Sequence, residues 1–388
     1  MNKMDTPKHI VEFVRSVYRT NSFIPLHEPT FFGNEKAYVG ETIDSTFVSS
    51  IGEFVGRFER DVERFTGSSK AVAVTNGSAA LHTALHMSGV VAGDLVITQA
   101  LSFIASCNAI LQAGAEPIFV DVETNSFALC PVAVSSWLDE YAELDGSGNC
   151  RMRHSGARIK AIMPMHTFGH PAQLDELLEL SSNWNLDLIE DAAESLGSLY
   201  KKRHTGTIGR FGVLSFNGNK VITTGGGGML LCTDKDDGNR AKHITTTSKV
   251  AHPYEFYHDQ QGFNYRLPNL NAALGCAQME NLRTILERKR MLASRYDAFF
   301  KETIFTFVKE PEYARSNYWL NTIICNDRQE RDLVLKETNS EGVMTRPAWQ
   351  LMTDLPMFKN CHRDGLVKSK WAVDRLVNLP SSPVNEAL

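Results

Sequence analysis

A lysine set just past an apolar run and just ahead of four glycines is the first feature that suggests chemistry. The stretch reads Ser215-Phe216-Asn217-Gly218-Asn219-Lys220, then Val221-Ile222-Thr223-Thr224 and Gly225-Gly226-Gly227-Gly228. A lysine amine attacks carbonyl carbon once burial or a nearby cation lowers its pKa. The glycines allow positive φ and close backbone approach, at an ordering cost that points to a purpose. Taken alone, Lys220 also reads as a solvated loop lysine, and the glycines lack the Walker A spacing of a nucleotide-phosphate loop.

Three further constellations share this order along the chain. Thr75-Asn76-Gly77-Ser78-Ala79-Ala80 falls between a strand and a helix, where small residues and a helix N-terminus suit an anion; it also reads as an ordinary Asn-Gly turn. Ile189-Glu190-Asp191-Ala192-Ala193 puts a carboxylate at the carboxyl end of a strand, where open α/β sheets bind ligands; Asp191 also reads as a cap for the next element. Gln261-Gly262-Phe263-Asn264-Tyr265-Arg266-Leu267 mixes aromatics with polar donors at a loop, either a site edge or a subunit contact. Metal catalysis has little support: His82 and His86, and His166 and His170, stand four apart, but neither pair has the Glu of the zinc-protease pattern.

The elements that position these residues alternate short apolar runs with helical segments from Lys70 onward, which predicts a mainly parallel sheet covered by helices. Strands are expected at 71–74, 95–97, 118–120, 161–163, 186–189, 213–216 and 229–231. Helices are expected through Leu81 and Leu85 to Gly89, from Phe103 to Gln112, and from Pro171 through Leu174, Leu177 and Leu178. Phe54, Phe58, Val62 and Phe65 recur at helical spacing as core, with Ser50 as the N-cap. After Pro268 a long helix leads to a strand near 319–324 and a helix near 331–336. The 388 residues therefore divide into a large α/β domain with an N-terminal helical segment (1–268) and a long linking helix with a small α+β domain (269–388).

The net charge of −5 gives no footprint for nucleic acid or anionic lipid. No apolar run resembles a signal peptide or a membrane span. Seven scattered cysteines without a Cys-x-x-Cys pair read as reduced thiols, so the cytoplasm is the expected compartment.

Together, Thr75 to Leu81, Glu190 to Ala193, Ser215 to Lys220 with the glycines, and Gly262 to Leu267 resemble the DegT/DnrJ/StrS family of sugar aminotransferases. Ile24-Pro25-Leu26-His27-Glu28-Pro29, Gly33-Asn34-Glu35-Lys36 and Val48-Ser49-Ser50-Ile51-Gly52 further resemble a subgroup that aminates UDP-linked 4-keto-6-deoxy-N-acetylhexosamines at C4. The resemblance implies the aspartate-aminotransferase fold, fold type I of pyridoxal-phosphate-dependent transferases, in a homodimer with shared sites. It implies a Schiff base between Lys220 and pyridoxal 5′-phosphate (PLP, passing through its pyridoxamine form, PMP), with Asp191 facing the ring nitrogen. By the same likeness Gly77, Ser78 and Ala79 form the phosphate cup, with Ser215 as a second hydroxyl donor and Asn264 reaching in from the other subunit. Phe103 matches an aromatic stacked on the ring, or is helix core. His166 matches a strand-end histidine near the cofactor, and Tyr318, Arg346 and Trp349 are candidate sugar contacts. Where many relatives carry His or Gln, this chain has Glu194, either protonated or turned toward substrate.

The implied reaction is ping-pong transfer from L-glutamate to the C4 keto group of a nucleotide-linked sugar, on a route to a bacterial surface glycan or nonulosonic acid. Two alternatives stand beside it: a sugar dehydratase of the same family, one branch of which replaces the lysine with histidine, and a non-catalytic PLP-binding regulator, which has no need of a proton-transfer lysine. A Rossmann dehydrogenase is set aside because no Gly-x-Gly-x-x-Gly opens a helix after the first strand.

Overall fold

The computed structural model describes residues 7–384; the outermost ends of the two expected domains, 1–6 and 385–388, lie outside the described residues. Seven strands form the large sheet: β1 (Lys70–Val74), β2 (Leu95–Gln99), β3 (Glu116–Val120), β4 (Ile159–Met163), β5 (Asp187–Asp191), β6 (Phe211–Ser215) and β7 (Gly228–Cys232). Their order is β1-β7-β6-β5-β4-β2-β3. Six run the same way, and β7 alone is antiparallel, to both β1 and β6.

Side chains alternate faces along each strand. Ala71, Ala73, Leu214, Met229 and Leu231 enter one core layer, and Val72, Val74, Val213, Leu230 and Cys232 enter the other. A sheet covered on both faces explains why its strands read as apolar runs rather than alternating ones. The first layer is closed by the helix Glu53–Thr66 and by the front half of a 32-residue helix, Asn269–Phe300. The second is closed by Gly77–Met87, Ile104–Gln112 and Lys235–Thr245.

The long helix, roughly 48 Å at 1.5 Å per residue, carries Ala272, Cys276, Leu282 and Ile285 into the first layer. Leu292, Ala293, Tyr296 and Phe300 enter a separate C-terminal cluster. There a four-stranded antiparallel sheet forms from β8 (Thr306–Phe307), β9 (Asn321–Ile324), β10 (Arg346–Pro347) and β11 (Leu376–Leu379), in the order β8-β9-β11-β10. The N-terminal helix Pro7–Tyr18, expected with the first domain, packs Ile10, Val11, Val14 and Val17 into this C-terminal cluster instead.

Two helix starts differ from the sequence reading. The 53–66 helix is capped not by Ser50 but by the side chain of Asn269, whose Oδ1 accepts from Phe54 N–H at 3.1 Å. The helix expected from Pro171 begins at Leu174; Leu174 and Leu177 are buried as expected, and Leu178 partly so. All seven cysteines are free thiols, and no helix of the described residues is long and apolar enough to cross a membrane.

Candidate active site

The carboxyl ends of β1, β5 and β6 and the amino end of β7 meet at one edge of the large sheet, where a cavity of about 660 Å³ opens. Register makes one wall tight: Gly228 pairs with both Val74 and Ser215. A Cβ at 228 would overlap Asn76 O and sit 2.7 Å from Gly77 N, and one at 77 would sit 3.1 Å from Ser215 Cβ. Glycine at both positions brings the start of the 77–87 helix against Ser215. The N–H groups of Gly77 and Ser78 open that helix, where no preceding turn supplies a carbonyl. With the helix dipole and the Ser78 and Ser215 hydroxyls they make an anion cradle.

Deeper in, Asp191 is buried. Its Oδ2 accepts from Ser106 Oγ at 2.6 Å, and its Oδ1 accepts from Ala193 N–H at 3.2 Å. Lys220 Nζ lies 3.8 Å from Glu194 Oε1 and 4.1 Å from the centre of the Trp319 ring. Burial pushes the Glu194 carboxyl up to about 7; the Lys220 charge and the Phe168 N–H, which donates to Oε2 at 2.9 Å, pull it back, and Asp191 adds a smaller upward push. Phe168 is held at φ 57, a conformation costly for a bulky side chain. Asn317 braces this corner: its Nδ2 donates to Glu194 O and Leu196 O, both at 2.9 Å, and its Oδ1 accepts from Trp319 N–H at 2.8 Å. Trp319 in turn donates through Nε1 to Asn219 O at 2.8 Å, fixing the loop that carries Lys220.

Gly77, Ser78, Phe103, Asp191, Glu194, Ser215, Lys220, Arg346 and Trp349 all line the cavity. Phe103 stands just before its helix, in extended conformation at the N-cap, with its ring 6.3 Å from Trp349. Four of the named residues do not line this cavity, Asn264 among them as a residue expected to serve a second subunit. The Ala79 N–H is taken by Asn76 Oδ1 at 2.8 Å, so it caps the helix rather than facing the cradle. His166 is fully buried behind the site, with Nε2 3.0 Å from Glu190 Oε2 and Nδ1 accepting from Ala172 N–H at 3.1 Å. Burial raises Glu190, but His166 and the N–H groups of Gly206 and Gly209 outweigh it and leave its carboxyl lowered. Tyr318 packs in the C-terminal cluster, where its hydroxyl accepts from Glu310 N–H at 3.1 Å. Asn264 is exposed, bridged to Thr246 and accepting from Arg266 Nε at 3.0 Å.

Ser106, Trp319 and Asn317 escaped the sequence reading. Only Ser106 left a local trace, as a polar residue four after Ser102 on an apolar helix.

The donor set fits pyridoxal phosphate: an anion cradle, a buried carboxylate and an amine open on one cavity, with glycines where side chains would fill it. The DegT/DnrJ/EryC1/StrS aminotransferase family matches residues 31–386. The chain is 34% identical over 366 residues to a GDP-perosamine synthase of Escherichia coli O157:H7, covering 93% of this chain and 94% of that protein. It is 35% identical over 338 residues to EpsN of Bacillus subtilis (strain 168), named as a pyridoxal phosphate-dependent aminotransferase, covering 86% and 84%. The crystal structure of the aminotransferase TlmJ from Streptoalloteichus hindustanus superposes with a TM-score of 0.83 at 26% identity, covering 93% of this chain and 94% of that one. The protein thus belongs to the DegT/DnrJ/EryC1/StrS aminotransferase family, whose cofactor is pyridoxal 5′-phosphate.

Proposed function

We propose that this sugar aminotransferase moves the amino group of L-glutamate to the C4 keto carbon of a nucleotide-linked 4-keto-6-deoxy sugar, with UDP-2-acetamido-2,6-dideoxy-hexos-4-ulose as the acceptor. The observation that carries the reading is the meeting of Lys220 Nζ, the Asp191 carboxylate and the Gly77–Ser78–Ser215 cradle in one cavity. When bound, pyridoxal phosphate supplies an aldehyde carbon and an electron-accepting ring that together take up and hand on the amino group.

The cradle would hold the phosphate, and Asp191, kept in place by Ser106 and Ala193, would face the ring nitrogen. Lys220 Nζ is the amine that would hold the cofactor's aldehyde, and when free it would serve as the base and acid that moves a proton. Glu194, titrating near 7 at 3.8 Å, takes and returns a proton at that amine. Phe103 would cover one face of the ring, and Arg346 and Trp349 line the cavity where the sugar nucleotide would enter.

Asn264 reaches the phosphate of a second copy. The exposed apolar residues Phe31, Phe32, Phe47, Tyr254, Phe256 and Tyr257 support a homodimer that covers them. The reduced cysteines fit a cytoplasmic enzyme. A GDP-linked acceptor is the second reading, favoured by the name of the Escherichia coli relative. Incubating the purified protein with glutamate and a panel of UDP-, GDP- and dTDP-linked 4-keto sugars, with 2-oxoglutarate release as the readout, decides between them. Lys220→Ala is expected to lose the visible absorption band and all turnover; full activity in that variant, or a borohydride adduct on another lysine by mass spectrometry, would remove the central assignment.

A further inference from the structure

His27 lines the same cavity as Lys220, is 9% exposed, and has no hydrogen-bond partner at either Nδ1 or Nε2. An imidazole in that position forgoes two hydrogen bonds, which is costly for a buried polar group. The neighbouring backbone leaves it little freedom to turn away. Leu26 O accepts from Ser381 N–H at 2.7 Å, and Glu28 N–H donates to Ser382 Oγ at 2.9 Å, so both residues flanking His27 are pinned to the C-terminal segment. Ile24 pairs with Val343, and Met344 N–H donates to Ile24 O at 2.9 Å, which ties the same segment to the strand leading into the mouth residues Arg346 and Trp349. Burial, reinforced by the charges of Lys289 and Lys220, holds the ring well below the ordinary histidine range. It is therefore a neutral group with one donor and one acceptor to offer.

We propose that His27 is a specificity residue for the acceptor, hydrogen-bonding a hydroxyl or the acetamido group of the keto-sugar beside Lys220. A sugar hydroxyl or amide offers both a donor and an acceptor, which is what a neutral imidazole lacks here. The carboxylates of glutamate call for charged or bidentate partners, which a neutral imidazole is not. A site built to hydrogen-bond a substrate rejects analogues that leave its buried polar atoms unpaired.

The inference rests on the aminotransferase reading above, and the two half-reactions separate them. Wild type, His27→Ala and His27→Asn are each followed by stopped-flow absorbance, first with glutamate, then in the aminated form with UDP-2-acetamido-2,6-dideoxy-hexos-4-ulose and with the GDP- and dTDP-linked 4-keto sugars. Calorimetric affinity for the amino-sugar product is measured alongside. His27→Ala is expected to leave the glutamate half within about twofold of wild type and to weaken product binding and the acceptor half by tenfold or more, in line with about 1–3 kcal/mol for an unpaired polar group. His27→Asn, which keeps a donor and an acceptor, should recover part of that loss. An unchanged acceptor half in His27→Ala overturns the assignment while leaving the aminotransferase reading intact. A defect confined to the glutamate half, or equal in both halves and unrelieved by Asn, overturns it too. Wild type that bleaches with glutamate yet accepts no keto-sugar refutes the substrate reading and this inference together.

Discussion

Burial raises the Glu194 carboxyl to about 7 from an ordinary 4.5, so the folded protein keeps a proton there that the unfolded chain has already lost. The sign follows: between pH 4.5 and about 7 the apo-protein loses stability as pH rises, by about 1.4 kcal/mol per unit while the two forms differ by one proton. Urea midpoints measured across that window should fall toward pH 7 for wild type and stay flatter for Glu194→Gln. Asp191 is proposed to pair with the ring nitrogen of the cofactor. Asp191→Asn removes one member of a buried charge pair, and absorbance titration should show cofactor affinity falling by about 3 kcal/mol or more. Both residues were legible in the sequence, because each sits in a short motif at a strand end. Their supports were not. Asn317 and Trp319 act on Glu194 and Lys220 across more than ninety residues of chain, and no local pattern carries such a contact. His166 and Tyr318 show the converse. Position and residue type suggested ligand contact, but the packing places them behind the cavity wall.

The strands were readable because burial on both faces leaves uninterrupted apolar runs, whereas the start of the 53–66 helix was not, because its Phe54 N–H is taken by Asn269 from far along the chain. Gly228 is the element-level hinge of the site, paired to β1 on one side and β6 on the other. Gly228→Ala should push the 77–87 helix off Ser215, costing about 1–3 kcal/mol of stability and weakening cofactor retention, as thermal melts with and without pyridoxal phosphate will show. The long helix carries a second titrating device. Lys289 is fully buried, donating to Ser381 O at 2.6 Å and Trp319 O at 3.2 Å, and burial lowers its amine to about 7. The unfolded chain holds that proton up to about 10.5, so stability should climb from pH 7 toward pH 10 in wild type. Lys289→Met should flatten that rise in denaturant melts.

At the scale of the whole molecule, one core cluster joins Phe119 and Leu214 of the large sheet to Leu351, Phe358 and Leu376 of the C-terminal half. The halves are therefore packed together and not merely tethered. The assembly beyond the chain is testable through Asn264. Lys220→Ala and Asn264→Asp subunits, each weak alone, should complement when mixed, because the hybrid dimer rebuilds one intact site. Random exchange predicts roughly a quarter of wild-type activity, read by 2-oxoglutarate release after unfolding and refolding the mixture together. No recovery would mean that Asn264 serves its own subunit or none.

The cavity draws its walls from three main sources: residues on loops of the large sheet, the N-terminal stretch Pro25-Leu26-His27, and Met344, Arg346, Trp349 and Gln350 on the segment around the edge strand β10. The floor and the mouth of the cavity thus come from separate stretches of the chain. Grafting 343–350 from a relative with another sugar preference leaves every vitamin-binding residue untouched. A mouth built from one short stretch and braced by the segment of His27 is open to retuning by exchanging those two pieces together.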